Sequence, residues 1–559
     1  MKIEIQNTVM HKACLTLFAT FLGVVALGQT VTFPKPNTQE VLERIDKEAQ
    51  YSGRHMVGVQ IETDFDFFAK AQLELLADGI EEWTLVMESA DAAGLCVYFD
   101  DFHLPVGTEL LVESPKVAFA NDFSLEPIVA SENNDHGRWV TPDVPGDKIV
   151  LVYRQHSSTV GEPQLNVDAL GYFVRGVSRG GSDPCQVDVA CPEGDSWQCE
   201  RDGVVRLTVT QLGGIYYCSG SMVNNFRMDC RQLLLSAFHC ADAVDDDEWA
   251  YLKVQYNYEH FECGGSASYN TRIRTGVIML THSDDASNQG FTGSDFLLVE
   301  VEDPINASWN PFYAGFDATT FGGAEGVGIH HPAGDRKKIS YYDTNLISQS
   351  IGASGSHWRV TWQPTETDHG VTEGGSSGSP IFNQNHHIVG TLSSGLSACV
   401  TNGVGNGTGP YQPDFYGKMS YHWEGNNPIP SSWKLKEFLD PDNTGEKILH
   451  GSYVGEGAQP CSQFNACADT DVPGLVLENE GWTISPNPAM DAATIQMPSG
   501  APLTDIRIYD AGGRILESIH PLVVGETFAL ELSKYDAGLY YVTVRTTDGT
   551  SSTLKLIIE

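Results

Sequence analysis

The sequence predicts an all-β protein assembled from several units, and three observations predict it. Runs such as LCVYFDDFHL, KIVLVYRQ and LYYVTVRT are rich in Val, Tyr, Phe and Thr and are bounded by turn residues. The chain carries 56 glycines and 27 prolines, which break it into short segments and leave little room for long helices. Its 559 residues exceed what one hydrophobic core organises.

Taken in order, the first element is an export signal. Lys2, His11 and Lys12 precede the apolar run ACLTLFATFLGVVALG, and the small residues Ala26 and Gly28 fit a cleavage site that makes residues 1–28 a signal peptide. The run is short for a membrane span and lacks a stop-transfer flank, so no integral membrane segment is expected in the mature protein. Residues 29–179 alternate apolar and polar positions between Pro and Gly turns, which reads as a β-sandwich without a catalytic cluster. The stretch FVRGVSRGGSDPC then sets Arg175 and Arg179 in a Gly/Ser context, an exposed and cleavable junction that makes 29–179 a prodomain. A cysteine-rich β unit fills 180–455, with a short amphipathic helix in SSWKLKEFLD. Residues 456–480 read as a linker, and 481–559 as a small β-sandwich with no His/Asp/Ser cluster.

The formal net charge of −40, from 33 basic and 73 acidic residues, argues against nucleic acid, whose phosphates need Lys and Arg. We read the acidity as solubility. Ten of the 12 cysteines lie between Cys185 and Cys467, which in an oxidising compartment implies disulfides. Paired CxxC knuckles and HExxH are absent from the sequence, so neither metal nor cofactor is expected. The adjacent His330 and His331 are read as a structural strand-and-turn feature, and His386 and His387 as surface residues of a hairpin.

Chemistry concentrates at three places. LLLSAFHCAD ends a buried strand in a turn carrying His239 beside Cys240. In GSDFLLVEVED, Asp295 opens an apolar strand, so its carboxylate is drawn inward and needs a partner, for which an imidazole N–H is suited. TEGGSSGSP presents Ser377 between Gly375 and Gly378. A serine hydroxyl becomes a nucleophile when a neutral imidazole takes its proton, and an aspartate fixes that imidazole. The turn lets the amides of Gly375 and Ser377 point at one oxyanion. The order His239, Asp295, Ser377 is that of the chymotrypsin-like enzymes.

From Cys185 to Gly451 the chain resembles the trypsin-like serine endopeptidases, and most closely the bacterial lysyl endopeptidases. The segments CQVDVACPEGD, CSGSMVNN, SAFHC, YNYEHFEC, SDFLLVEV, IHHP, GVTEGGSSGSPIF, DFYGK and FLDPDNTG carry the resemblance. It implies a double β-barrel with the active site between barrels, and the disulfides Cys185–Cys399, Cys191–Cys263 and Cys218–Cys240. Cys199 and Cys230 are additional and are candidates to pair with each other. Mammalian trypsins carry an aspartate just before the nucleophile for activation. Here that position is Ser376, so activation is expected to be removal of a covering prodomain.

Six positions before the nucleophile, where trypsins place their pocket aspartate, this chain has Val371. The lysyl endopeptidases place it in a motif matching PDFYGK, which points to Asp414. Ser393, Ser394 and Gly395 form the strand on which the substrate backbone lies. Gln349 and Ser393 stand where that family has a tryptophan–histidine pair that sharpens its lysine preference. Cleavage after Lys, with Arg also accepted, is the expectation. No Lys or Arg occurs between Arg274 and Arg336 or between Arg359 and Lys418, the stretches holding the active-site loops.

Residues 482–559 resemble the C-terminal sorting domain of the type IX secretion system, through Pro486–Asn487–Pro488, Gly512–Arg514 and Gly538–Tyr541. The resemblance implies passage through the periplasm and across the outer membrane to the medium or cell surface, with that secretion machinery as a partner. The whole reads as an exported zymogen, acting as a monomer on protein or peptide substrates. The competing readings are a catalytically inactive protease-like surface adhesin and, for the last unit, a carbohydrate-binding β module.

Overall fold

The computed structural model describes residues 29–453 and 483–558 apart from short internal stretches. The expected signal peptide, the 176–180 junction, the 456–480 linker and Cys461 and Cys467 lie outside the described residues. The chain divides into two compact units, one reaching residue 468 and one from 469 to 559. Strands dominate both, as the sequence predicts. Among the described residues no helix is long and apolar enough to cross a membrane.

In the N-terminal part, alternation builds a two-layer sandwich. Strand Lys148–His156 sends Ile149, Leu151 and Tyr153 inward, as a period of two requires. They meet Leu95, Val97 and Phe99 of Gly94–His103 and Leu165 and Val167 of Gln164–Phe173. The second layer does not stop at the edge of this sandwich. Its strand His55–Asp66 pairs antiparallel with Gly214–Met222, in register Tyr216 to Met56 and Tyr217 to His55. One 12-stranded sheet therefore runs from the N-terminal part into the central part. The seam is charged as well as hydrogen-bonded. Asp143 is buried against Lys253 and Arg206, and Tyr98 Oη lies 2.9 Å from Thr210 Oγ1. A buried carboxylate is tolerated there because cations meet it.

The central part adds a 10-stranded sheet that includes Gly326–His330, Pro380–Asn383, Ile388–Gly395 and Asp414–Lys418. Leu233, Leu235, Phe296 and Leu298 of the first sheet region share one core with Ile329, Ile339, Phe382 and Ile388 of the second. Every residue of strand Val204–Gln211 is buried, because packed material covers both of its faces. Disulfides join Cys185 to Cys399, Cys191 to Cys263 and Cys218 to Cys240. Cys199 and Cys230 are disulfide-bonded as well. Cys96 is free and buried, and burial raises its thiol pKa to about 11.

Of two local expectations, one holds and one changes. The helix expected in SSWKLKEFLD runs over Lys436–Leu439 among the described residues. His386 and His387 do sit at a hairpin turn, but His387 is buried and His386 half-buried. His386 packs on Trp197 with ring centroids 4.3 Å apart and pairs with Glu200, while His387 is buried against His450 at 3.0 Å. The hairpin faces neighbouring elements that a local reading of its sequence does not reveal.

The C-terminal unit has a three-stranded and a four-stranded sheet around Ile495, Ile506, Ile508, Val542 and Leu556. Asn487, between its two prolines, ties the turn to the last strand. Its amide donates to Lys555 O at 2.6 Å, and its oxygen accepts from Ile557 N at 2.9 Å.

Candidate active site

Strand Leu233–Ser236 ends in the turn Phe238–Cys240, and the Cys218–Cys240 bridge fastens that turn to the neighbouring strand. His239 is thereby half-buried in a fixed pose. Asp295 is fully covered, just before strand Leu297–Val301, in a left-handed backbone conformation at φ 56°. Asp tolerates that region better than most residues. Its carboxylate accepts from the His239 amide at 3.0 Å and lies 2.7 Å from His239 Nδ1. Ser393 Oγ donates to the same carboxylate at 2.6 Å.

These contacts outweigh the cost of burial. Desolvation pushes the Asp295 carboxyl up, but His239 and the hydrogen bonds hold it down at about 2. Burial pulls the His239 imidazole down, and the Asp295 charge more than offsets this, leaving its pKa above the ordinary value. Asp295 is thus ionised at neutral pH and positioned to orient an imidazole whose Nδ1 carries the proton.

Ser377 is half-buried and lines the same cavity as His239, a cleft of about 440 Å³. Gly375 and Gly378 have φ of 94° and 80°. A Cβ on Gly378 would collide with Ser236 Oγ, and one on Gly375 would stand 2.9 Å from Gly334 N, so both positions require glycine. The Ser376 amide is used within the turn, donating to Glu373 O at 3.0 Å. Among the described residues, the Gly375 and Ser377 amides donate to no backbone carbonyl. Buried His330 anchors the turn from behind, with Nδ1 2.8 Å from Ser376 Oγ and Nε2 3.0 Å from Ser340 Oγ. Burial lowers its pKa to about 3, so it stays neutral. The structural role expected of the IHHP segment thus includes support of the serine turn.

Asp414 lies at the start of strand Asp414–Lys418, opposite Gly395 in the pairing register, and is wholly buried. Five donors reach it. Trp362 Nε1, Thr372 Oγ1 and Ser397 Oγ donate to one oxygen at 2.6, 2.8 and 2.6 Å, and the amides of Leu396 and Ser397 to the other at 3.1 and 3.0 Å. Burial outweighs these bonds, so its pKa is raised. Thr372, Ser394, Gly395 and Ser397 line the cleft in front of it, and a Cβ on Gly395 would collide with Asp414 Oδ1. Gln349 lies outside the residues lining the cleft. Thr372, Ser397 and Trp362 were not singled out in the sequence, because donors to a buried carboxylate come from three separate segments with no fixed spacing.

A covering prodomain is expected from the sequence, but the residues that reach the cleft are not marked there. Ala49, Arg54 and His55 line it alongside His239 and Ser377. Arg54 Nε donates to His239 O at 3.2 Å, and its guanidinium pairs with Asp242 and with Glu48. A Cβ on Gly374 would stand 2.7 Å from His55 Nδ1, which shows how closely the segment covers the serine turn. Burial, together with the charge of Arg175, lowers the His55 pKa to about 4.

Residues 179–417 match the family model for the lysyl endopeptidase C-terminal domain, and residues 483–559 that for the secretion system C-terminal sorting domain. A lysyl endopeptidase of Pseudomonas aeruginosa is 29% identical over 280 residues, covering 46% of this chain and 57% of the relative. The chain thus spans little more than half the length of that relative. Among solved structures, a thermostable serine protease from an extremophilic microorganism is 14% identical with a TM-score of 0.28, covering 40% of this chain and 93% of that one. A Glu endopeptidase is 16% identical with a TM-score of 0.27, covering 44% and 94%. The sorting domain marks the chain for export to the cell surface or the medium.

Proposed function

We propose that the chain is a serine endopeptidase cleaving after basic residues, lysine first, and that its N-terminal part holds it latent. The observation that carries the reading is the buried Asp295–His239 pair opening onto the cleft that also contains Ser377. In this reading His239 Nε2 takes the Ser377 proton as Oγ attacks the scissile carbonyl. Asp295 stabilises the imidazolium that forms. The Gly375 and Ser377 amides receive the developing oxyanion. The imidazolium then protonates the leaving amine, and a water activated by the same imidazole releases the acyl group from Ser377.

Asp414 supplies the preference for a cation. Behind Thr372 and Ser397 its carboxylate is held by neutral donors, so its charge is available to a substrate ammonium. The type IX secretion machinery is the proposed export partner, on the strength of the sorting domain.

Latency is inferred from Arg54 and His55 of the N-terminal part lining the cleft beside His239 and Ser377. Removal of residues up to Arg175 or Arg179 takes that cover away. Ser377→Ala is expected to lower kcat by about 10⁴- to 10⁶-fold without unfolding the protein. Labelling of Ser377 by an organophosphonate, lost in Ser377→Ala, separates a peptidase from a binding protein that only shares the fold. A Ser377→Ala protein that retains most of its hydrolysis defeats the reading.

A further inference from the structure

The cleft has two edges. Strand Ile388–Gly395 supplies one, beside the Asp414 pocket. Strand Gly214–Met222 abuts the serine turn on the other, where the Ser219 amide donates to Ser377 O at 2.8 Å, and carries His55 into the cleft lining. In the reading above, the residue ahead of the scissile bond enters the Asp414 pocket and its backbone follows the first edge. In the same reading the residues after the scissile bond leave on the side where Arg54 and His55 line the cleft. That side is occupied. His55 is paired with Tyr217, and Arg54, one residue earlier, turns its guanidinium onto Asp242 and the carbonyl of His239. An extended segment thus lies along the leaving side of the cleft with a basic side chain held in place.

We propose that Asp242 forms a second cation-binding subsite, on the leaving-group side of the cleft. It takes an arginine or lysine side chain of a protein substrate once Arg54 has vacated it. The proposal rests on the peptidase reading and names a further feature of its substrates. The subsite has the parts that guanidinium recognition uses, a carboxylate and a carbonyl oxygen turned to one planar fork of donors. Arg54 and Asp242 are each about nine-tenths covered in this arrangement, with side-chain exposures of 9% and 12%. Glu48 shares the guanidinium but belongs to the N-terminal part and departs with it, which leaves Asp242 as the carboxylate of the central part that met Arg54. Substrates with a basic residue on each side of the scissile bond are therefore the favoured class.

The test uses protein recovered from the medium of cells expressing the full chain. Quenched peptides share a lysine before the scissile bond and differ only after it, carrying Arg, Lys, Ala or Glu at the first or second position. Arg is expected to exceed Ala in kcat/KM by about tenfold, as one charge-assisted contact allows, with Glu lowest. Asp242→Asn is expected to bring Arg, Ala and Glu together within about twofold. Asp242→Lys is expected to place Glu above Arg, an inversion that a merely structural role does not produce. Equal cleavage of the Arg, Ala and Glu peptides by the unaltered protein overturns the proposal, as does an Arg preference that survives Asp242→Asn. A lysyl p-nitroanilide, whose leaving group has no side chain, keeps the two readings apart. If the unaltered protein hydrolyses the anilide but shows no leaving-side preference, only the subsite falls. If no form hydrolyses the anilide or the peptides, the peptidase reading falls and takes the subsite with it.

Discussion

Two carboxylates flank the serine turn, and they are satisfied in opposite ways. Asp414 is wholly buried and receives five hydrogen bonds from uncharged donors. Asp242 lies nearer the surface and meets the guanidinium of Arg54. The first arrangement fixes a carboxylate in place and leaves its charge uncancelled. The second cancels the charge with a side chain from the chain's own N-terminal part. Under the proposed function, a pocket that receives a cation from outside cannot keep one of its own, whereas a site closed until maturation can. Both carboxyls nonetheless have raised pKa values, because burial outweighs the neutral donors at Asp414 and Arg54 at Asp242.

The largest expected effect comes from breaking the first arrangement. Asp414→Asn puts an amide that donates among groups that already donate, and removes the charge. On lysine substrates kcat/KM is expected to fall by about 10² to 10⁴, the range for leaving a buried charge partner unmatched. Phenylalanine substrates, poor to begin with, should change little. An Asp414→Asn enzyme unchanged on lysine substrates removes this residue from the pocket.

Latency comes next. Arg54→Ala in the full chain, with Arg175→Gln and Arg179→Gln to keep the N-terminal part attached, deletes one strong ion pair but leaves the strand pairing of His55 with Tyr217. Hydrolysis of the lysyl anilide is expected to rise by about tenfold over the same uncut protein with Arg54 intact, the value of one partly buried charged contact. No rise means that Arg54 does not hold the cover in place.

The two carboxylates also differ in how legible they are. Asp414 is found through PDFYGK, and His239, Asp295 and Ser377 through short segments whose chemistry is local. The sandwich layers follow from alternation, as Ile149, Leu151 and Tyr153 show. Asp242 stands in the quoted segment LLLSAFHCAD, yet nothing there marks it, because its partner Arg54 is 188 residues away in another part of the chain. The absence of Lys and Arg from the loops around the active site is a feature of those loops alone. The cation that reaches the cleft comes from residue 54. The seam between the N-terminal and central parts is illegible for the same reason. An edge strand such as His55–Asp66 records its own alternation but not which strand it joins.

A smaller effect sharpens the role of the neutral donors. Ser397 donates twice to Asp414, through Oγ and its amide. Ser397→Ala removes the hydroxyl bond, and that bond lowers the Asp414 pKa. The pKa therefore rises further. Lysine binding needs the ionised carboxylate, which exists above its pKa and is lost as pH falls through it. The acid limb of kcat/KM on lysine substrates should move to higher pH in Ser397→Ala, while the same limb on phenylalanine substrates stays in place. Coincident profiles for Ser397→Ala and the unaltered enzyme on lysine count against the donor cage.

The smallest expected effect links Asp242 to His239. Asp295 does most to raise the imidazole pKa, Asp242 adds to it, and Arg54 works against it. The general base must be neutral, so activity rises with pH through the His239 pKa. Asp242→Asn removes a charge that favours the imidazolium, and the acid limb of hydrolysis of a phenylalanyl p-nitroanilide should shift to lower pH. That substrate avoids the ionisation of Asp414 and has no residue for the leaving-side subsite, so the shift reports His239 alone. An arginine side chain bound on Asp242 acts as Arg54 does and lowers the pKa as well. Peptides carrying arginine after the scissile bond should therefore show an acid limb at lower pH than matched alanine peptides in the kcat profile, where the subsite is filled. In Asp242→Asn that difference between the two peptides should vanish. A difference that persists there means that the arginine is sensed somewhere other than Asp242.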